Sequence, residues 1–196
     1  MDKKLRLYCV YNSTASPFFR LAPLKVEILS VDPYIVIFHD IVSLKERKRI
    51  RKGSKHYLIP ASTFNSTSST YQIESTRTST SVWLPSSTND LTQKLTNVME
   101  DATGLDLRHS EMFQGINNGV GGLFGGQFDT LPKNELSDVP QGGGIVFTAL
   151  NLTVFPQPGS VLFWYNLDNM GNEDPKSHHI GCPVIVGSKW GKFTLI

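Results

Sequence analysis

Gly144-Ile145-Val146-Phe147, Leu152-Thr153-Val154-Phe155-Pro156, Gly159-Ser160-Val161-Leu162-Phe163-Trp164-Tyr165 and Pro183-Val184-Ile185-Val186-Gly187 decide the fold of this chain. Each is a short run rich in β-branched and aromatic residues. Glycine and proline bound them, which favour turns and interrupt a hydrogen-bonded ladder. Short strands repeated at this spacing predict an antiparallel barrel or jelly roll. The all-β pattern begins at residue 111, where Met112-Phe113-Gln114-Gly115-Ile116 leads into Gly119-Val120-Gly121-Gly122-Leu123-Phe124-Gly125-Gly126. These glycines lack the Gly-Lys-Ser/Thr ending of a phosphate loop and do not fit the dinucleotide fingerprint. They predict a flexible connection between strands.

The first half is mixed. Residues 31–42, Val-Asp-Pro-Tyr-Ile-Val-Ile-Phe-His-Asp-Ile-Val, read as a strand. Ser43-Leu44-Lys45-Glu46 is a capping-box signature, with serine at N-cap and glutamate at N3, and Gly53 is a plausible stop. The helix between them carries Lys45, Arg47, Lys48, Arg49, Arg51 and Lys52. No aromatic or glycine-rich binding element accompanies these cations, so a solvated helix face is preferred over a nucleic-acid patch. Residues 61–81 are Ser/Thr-rich and predict a loop or weak strands. Leu91, Leu95, Val98, Met99 and Ala102 then recur at helical spacing as a core-facing stripe, closed by Gly104.

A length of 196 residues suits one domain, or one domain with an appendage, and the formal net charge of +2 singles out no partner. No apolar run is long enough to span a membrane, and Met1–Leu7 lacks the apolar region of a signal peptide. Cys9 and Cys182 are either one long-range disulfide or two free thiols. Sequons at Asn12, Asn65 and Asn151 are weak evidence for secretion in a chain so rich in Ser and Thr.

The chemistry concentrates in Gln127-Phe128-Asp129, His179 and Lys189. Residues i and i+2 of a strand share a face, so Gln127 and Asp129 can address one point in a barrel mouth. His179, after Asp174-Pro175, falls at a barrel rim, while its neighbour His178 is expected to face away. Two histidines and a carboxylate on one triangular face hold non-haem Fe(II), with open positions for an oxo-acid and dioxygen. Lys189 suits the far carboxylate of such an oxo-acid as a point charge. Spacing alone leaves the bland alternatives open, a satisfied core histidine and a solvated lysine.

Several strings resemble the catalytic region of the animal prolyl 4-hydroxylase α subunit, especially its insect branch. Among them are Ser16-Pro17-Phe18-Phe19-Arg20-Leu21-Ala22-Pro23-Leu24-Lys25-Val26-Glu27 and Asp32-Pro33-Tyr34-Ile35-Val36-Ile37-Phe38-His39-Asp40. Others are Arg77-Thr78-Ser79 through Trp83-Leu84, Glu100-Asp101-Ala102-Thr103-Gly104-Leu105 and Val154-Phe155-Pro156. So are Ser160 through Asp168 and Cys182-Pro183-Val184-Ile185-Val186-Gly187-Ser188-Lys189-Trp190.

The resemblance implies an α+β, mainly β chain: a double-stranded β-helix (jelly roll) with supporting N-terminal helices. Residues 1–28 would be a lead-in and 29–196 the catalytic domain, with its oxygenase core at 107–196. It implies procollagen-proline 4-dioxygenase chemistry, which hydroxylates C4 of peptidyl proline and converts 2-oxoglutarate to succinate and carbon dioxide. Asp129 and His179 match two Fe(II) ligands and Lys189 the 2-oxoglutarate anchor, with L-ascorbate restoring spent iron. A proline-rich or procollagen-like peptide would be the substrate, protein disulfide isomerase the β partner, and the endoplasmic reticulum lumen the location. The usual partners of Cys9 and Cys182 fall outside this chain, which implies that both are unpaired.

The chain also departs from the family. Gln127 stands where the first iron-binding histidine is expected, Asn118 where a tyrosine reaches toward 2-oxoglutarate, and Leu195 where a tryptophan closes the motif. Only a dozen residues separate Asp129 from Gly142, where the family has a further arginine-bearing strand. One core strand is therefore expected to be missing, which would open a barrel edge and lower stability. These departures imply an alternative, a catalytically inactive pseudoenzyme or relic of the family.

Overall fold

The computed structural model describes residues 9–61, 63–65, 70–72, 79–84, 90–122, 124–127 and 133–193; side chains are described throughout these except in 63–65, 70–72, 124–127, 133–135 and 192–193. In the first half the strands are β1 Cys9–Asn12, β2 Leu24–Val31, β3 Tyr34–His39, β4 Ile59–Pro60, β5 Thr63–Asn65, β6 Thr70–Gln72 and β7 Thr80–Leu84. There follow β8 Phe113–Asn118, β9 Phe124–Gln127, β10 Lys133–Glu135, β11 Gln141–Gly142, β12 Ile145–Phe147 and β13 Leu152–Val154. The last are β14 Val161–Trp164, β15 His179–Gly181, β16 Val184–Val186 and β17 Lys189–Phe193. The helices are α1, Leu44–Ser54, and α2, Asp90–Thr103.

A nine-stranded sheet has the order β1-β2-β3-β14-β10-β17-β8-β7-β4, and a four-stranded sheet the order β13-β12-β15-β9. Side-chain alternation on two central strands shows how the layers stack. Ile35, Ile37, Leu162 and Trp164 pack with Ile145, Phe147 and Val154 of the small sheet. The intervening Val36, Phe38, Val161 and Phe163 pack with Met99 of α2. A strand covered on both faces must be apolar at every position, which is why β3 and β14 read as continuous apolar runs. By contrast β2 buries Leu24, Val26 and Ile28 while Lys25 stays exposed.

Both helices form where the sequence places them. Ser43 Oγ accepts from Glu46 N, and a Glu46 carboxylate oxygen accepts from Ser43 N at 2.8 Å, closing the capping box. The helix runs one residue past Gly53 before a 3-10 turn at Lys55–Tyr57. In α2, Leu91, Leu95 and Met99 are buried, and Gly104 takes a φ of +73° just beyond the helix.

Three expectations need correction. The strand drawn over 31–42 divides, because Val31 ends β2 and pairs with Tyr34 of β3, leaving Asp32-Pro33 as the hairpin turn. Proline has no N–H to offer a ladder. Within the glycine-rich stretch, Gly125 and Gly126 lie in β9, paired with β15, so the connection is shorter than expected. Where a core strand was expected to be missing, the strand β10 is present. The three residues of β10 pair with both β14 and β17, so the large sheet is continuous at this point. The premise for an opened edge is thereby removed. Within residues 1–28, expected to be a lead-in, lie β1 and most of β2, Cys9–Asn12 and Leu24–Val31, both in the large sheet. No helix among the described residues is long and apolar enough to cross a membrane.

Candidate metal and co-substrate site

His179 begins β15, opposite Phe147 of β12 on one side and Gln127 of β9 on the other. Directly opposed residues of antiparallel strands lie about 4.5–5.5 Å apart at Cα and share a face. The register therefore sets an amide-bearing residue against the histidine at the point where the sequence placed a metal. Asp129 and Leu195 lie outside the described residues. No group of three His, Cys, Asp or Glu side chains converges among the described residues.

The His179 ring is fully buried and its orientation is fixed. Before it, the 3-10 turn Pro175–Ser177 is capped by Asp174, whose side chain accepts from Lys176 N. The turn presents the Ser177 carbonyl 3.1 Å from His179 Nδ1. A carbonyl can only accept, so Nδ1 carries the proton and Nε2 keeps the lone pair that a metal needs. Histidine ligands are oriented in this way at metal sites generally. Phe147 and Trp164 pack around the ring at centroid distances of 5.7 and 4.9 Å. His178 turns elsewhere, with its Nδ1 3.1 Å from Thr148 Oγ1.

Lys189 is also buried, at the first position of β17 and opposite Asn118, the last of β8. Its Nζ donates to the Gly143 carbonyl at 2.7 Å. That carbonyl is presented by two successive glycines with φ of +85° and +68°. A Cβ on Gly142 would come within 2.4 Å of the Pro183 carbonyl oxygen, so only glycine fits there. The Asn118 Oδ1 is buried without a hydrogen-bond partner. A buried ammonium is chemistry suited to a carboxylate, toward which Asn118 can offer only its Nδ2–H donors, since its Oδ1 accepts.

Strand β12 relates the two pairs. Gly143, which holds Lys189, lies four residues before Phe147, which faces His179; that is about 13 Å of extended chain. Sequence reasoning missed the supports of His179, namely Phe147, Trp164, Asn166 and the Ser177 carbonyl. It also missed the Gly142–Gly143 turn. Alternation gave a signal for one of them, since Leu162, Trp164 and Asn166 fall on one side of an extended chain. Cys9, exposed on β1, and Cys182, between β15 and β16, are both free thiols.

The fold is the jelly roll of the 2-oxoglutarate/Fe(II) oxygenases. A viral collagen prolyl hydroxylase from Paramecium bursaria Chlorella virus-1, solved with 2-oxoglutarate, superposes with a TM-score of 0.70 at 17% identity; the match covers 85% of this chain and 97% of that one. A Trichoplax adhaerens prolyl hydroxylase, in complex with a hypoxia inducible factor peptide, gives 0.59 at 10% identity over 82% and 81%. By sequence the chain is a homologue of the prolyl 4-hydroxylase α subunits. It is 33% identical to the human subunit α-1 over 208 aligned residues, covering 96% of this chain. It spans 39% of that relative's length. No family model matches the sequence.

Proposed function

We propose that this chain is a prolyl 4-hydroxylase-type domain that keeps the co-substrate lysine and one imidazole ligand and has exchanged the other imidazole for the Gln127 amide. The observation that carries this reading is the register setting Gln127 against His179. Fe(II) would be held by His179 Nε2, by the Asp129 carboxylate and weakly by Gln127, whose neutral amide oxygen is a poorer donor than imidazole. Lys189 Nζ would take the far carboxylate of 2-oxoglutarate, with an Asn118 Nδ2–H as the second donor. When bound, iron and 2-oxoglutarate together supply the oxidising power that places one oxygen atom of O2 on C4 of peptidyl proline and the other in succinate.

Homology to the α subunits supports a proline-rich or procollagen-like peptide as substrate and a protein disulfide isomerase β partner. On the same ground we place the chain in the endoplasmic reticulum lumen, with L-ascorbate as reductant of spent iron. A second reading, an inactive pseudoenzyme that retains the fold, is favoured by the same Gln127 register. Outer-shell changes at metal sites cost about 10–100-fold in affinity or activity, and a ligand change is expected to cost more.

The deciding experiment is 2-oxoglutarate decarboxylation with Fe(II) and a proline-rich peptide, for the unmodified chain and for Gln127→His. The expected result is feeble turnover that Gln127→His raises by at least about 10-fold. Ready turnover by the unmodified chain, abolished by Asp129→Ala, would remove the pseudoenzyme reading. Inactivity of both proteins would favour it and would show that more than one ligand has been lost.

A further inference from the structure

Trp164 Nε1–H donates to Asn166 Oδ1 at 2.8 Å, and both residues are buried, at 1% and 3% exposure. The indole meets the His179 ring edge-on at 4.9 Å and 74°, and meets Phe147 at 5.4 Å and 85°. With Phe147 against His179, the three rings close a triangle in which the imidazole has little room to turn. The backbone of Asn166 serves the other side of the histidine. Its carbonyl accepts from Asp174 N at 2.7 Å, anchoring the turn whose Ser177 carbonyl holds His179 Nδ1. Asn166 thus touches both supports of the ring.

Its remaining amide arm points to a role beyond stability. Asn166 Nδ2 is buried without a hydrogen-bond partner. An unmet buried donor destabilises the fold, a cost that an apolar residue of similar volume would avoid. We infer that Trp164 and Asn166 are positioning residues that hold the His179 imidazole in its Nδ1–H form and aim Nε2 into the metal site. This rests on the reading of His179 as a ligand.

The test uses the full chain, with Co(II) as spectroscopic probe and long-range 1H–15N NMR of the metal-free protein to read the His179 tautomer. Trp164→Phe removes the indole N–H, and Asn166→Leu removes its acceptor. The expected result is one Nδ1–H tautomer in the unmodified chain, and mixed tautomers with about 10-fold weaker Co(II) binding in each variant. The double variant should be no worse than either single, because one interaction is lost in all three. Asn166→Asp, which restores an acceptor, should recover the single tautomer. Should Asn166→Leu fail to fold, Trp164→Phe decides. Tautomer and affinity within about twofold of the unmodified chain, with only melting temperature lowered, would overturn the inference and leave a purely structural pair. His179→Ala separates the two readings. If it leaves Co(II) binding intact, the metal reading falls, and the tautomers alone then uphold or overturn the clamp.

Discussion

An amide in place of an imidazole changes a metal ligand in two ways: the donor atom becomes a weakly basic oxygen, and the ring that can be locked from behind is gone. His179, the proposed ligand that remains, is held by a carbonyl on Nδ1 and two aromatic faces. The proposed co-substrate end depends on a backbone feature instead. Gly142→Ala, with φ of +85° and its new Cβ 2.4 Å from the Pro183 carbonyl oxygen, is expected to cost roughly 2 kcal/mol or more. That corresponds to a melting temperature lower by roughly 5 °C. The same change should raise the KM for 2-oxoglutarate, because the Gly143 carbonyl that steadies Lys189 would shift. A melting temperature unchanged by Gly142→Ala would contradict this account. His179 and Lys189 were legible in the sequence as residue types at suggestive spacing. Their supports were not, because a carbonyl from a 3-10 turn and an indole from another strand leave no local pattern.

At the scale of elements, α1 and α2 are joined by one carboxylate. Glu46 closes the capping box of α1 with one oxygen and pairs with Lys94 of α2 through the other. Burial alone would raise its pKa, but the hydrogen bonds from Lys94 and Ser43 outweigh it and hold the value below the ordinary 4.5. A carboxyl depressed in the folded state stabilises above its unfolded pKa, and that contribution is lost as pH falls through the folded value. Glu46→Ala is therefore expected to cost about 1 kcal/mol at neutral pH. The difference should shrink as pH falls below about 4.5, in denaturant titrations at several pH values. A difference that stayed constant to pH 3 would refute the assignment. These helices were legible from the capping box and the apolar stripe. The hairpin of β2 and β3 was only half seen. The alternation of Leu24, Val26 and Ile28 is a two-residue period that went unread, and Asp32-Pro33 was taken into a strand instead of the turn it makes. Strand β10 was invisible because three residues, Lys133-Asn134-Glu135, carry no apolar period; only pairing with both neighbours makes them a strand.

For the whole molecule, continuity through β10 matters more than its length. It joins the strands from β14 outward to those from β17 outward, so the large sheet runs unbroken from β1 to β4. Three buried clusters lie along that sheet, and α2 links two of them, Met99 belonging to one and Leu95 to another. Such a molecule is expected to unfold in one step, with calorimetric and van't Hoff enthalpies equal. Two resolved heat-absorption peaks would instead show that the sheet divides at β10. The aromatic triangle has a consequence of another kind. Of the three tryptophans, Trp83 is exposed and Trp190 half-buried, while Trp164 alone is sealed from water. Its ring lies 4.9 Å from the His179 imidazole. On the proposed reading of His179, blue-shifted emission from this one indole would be quenched by a paramagnetic ion bound there, which would make Trp164 an optical gauge of metal occupancy.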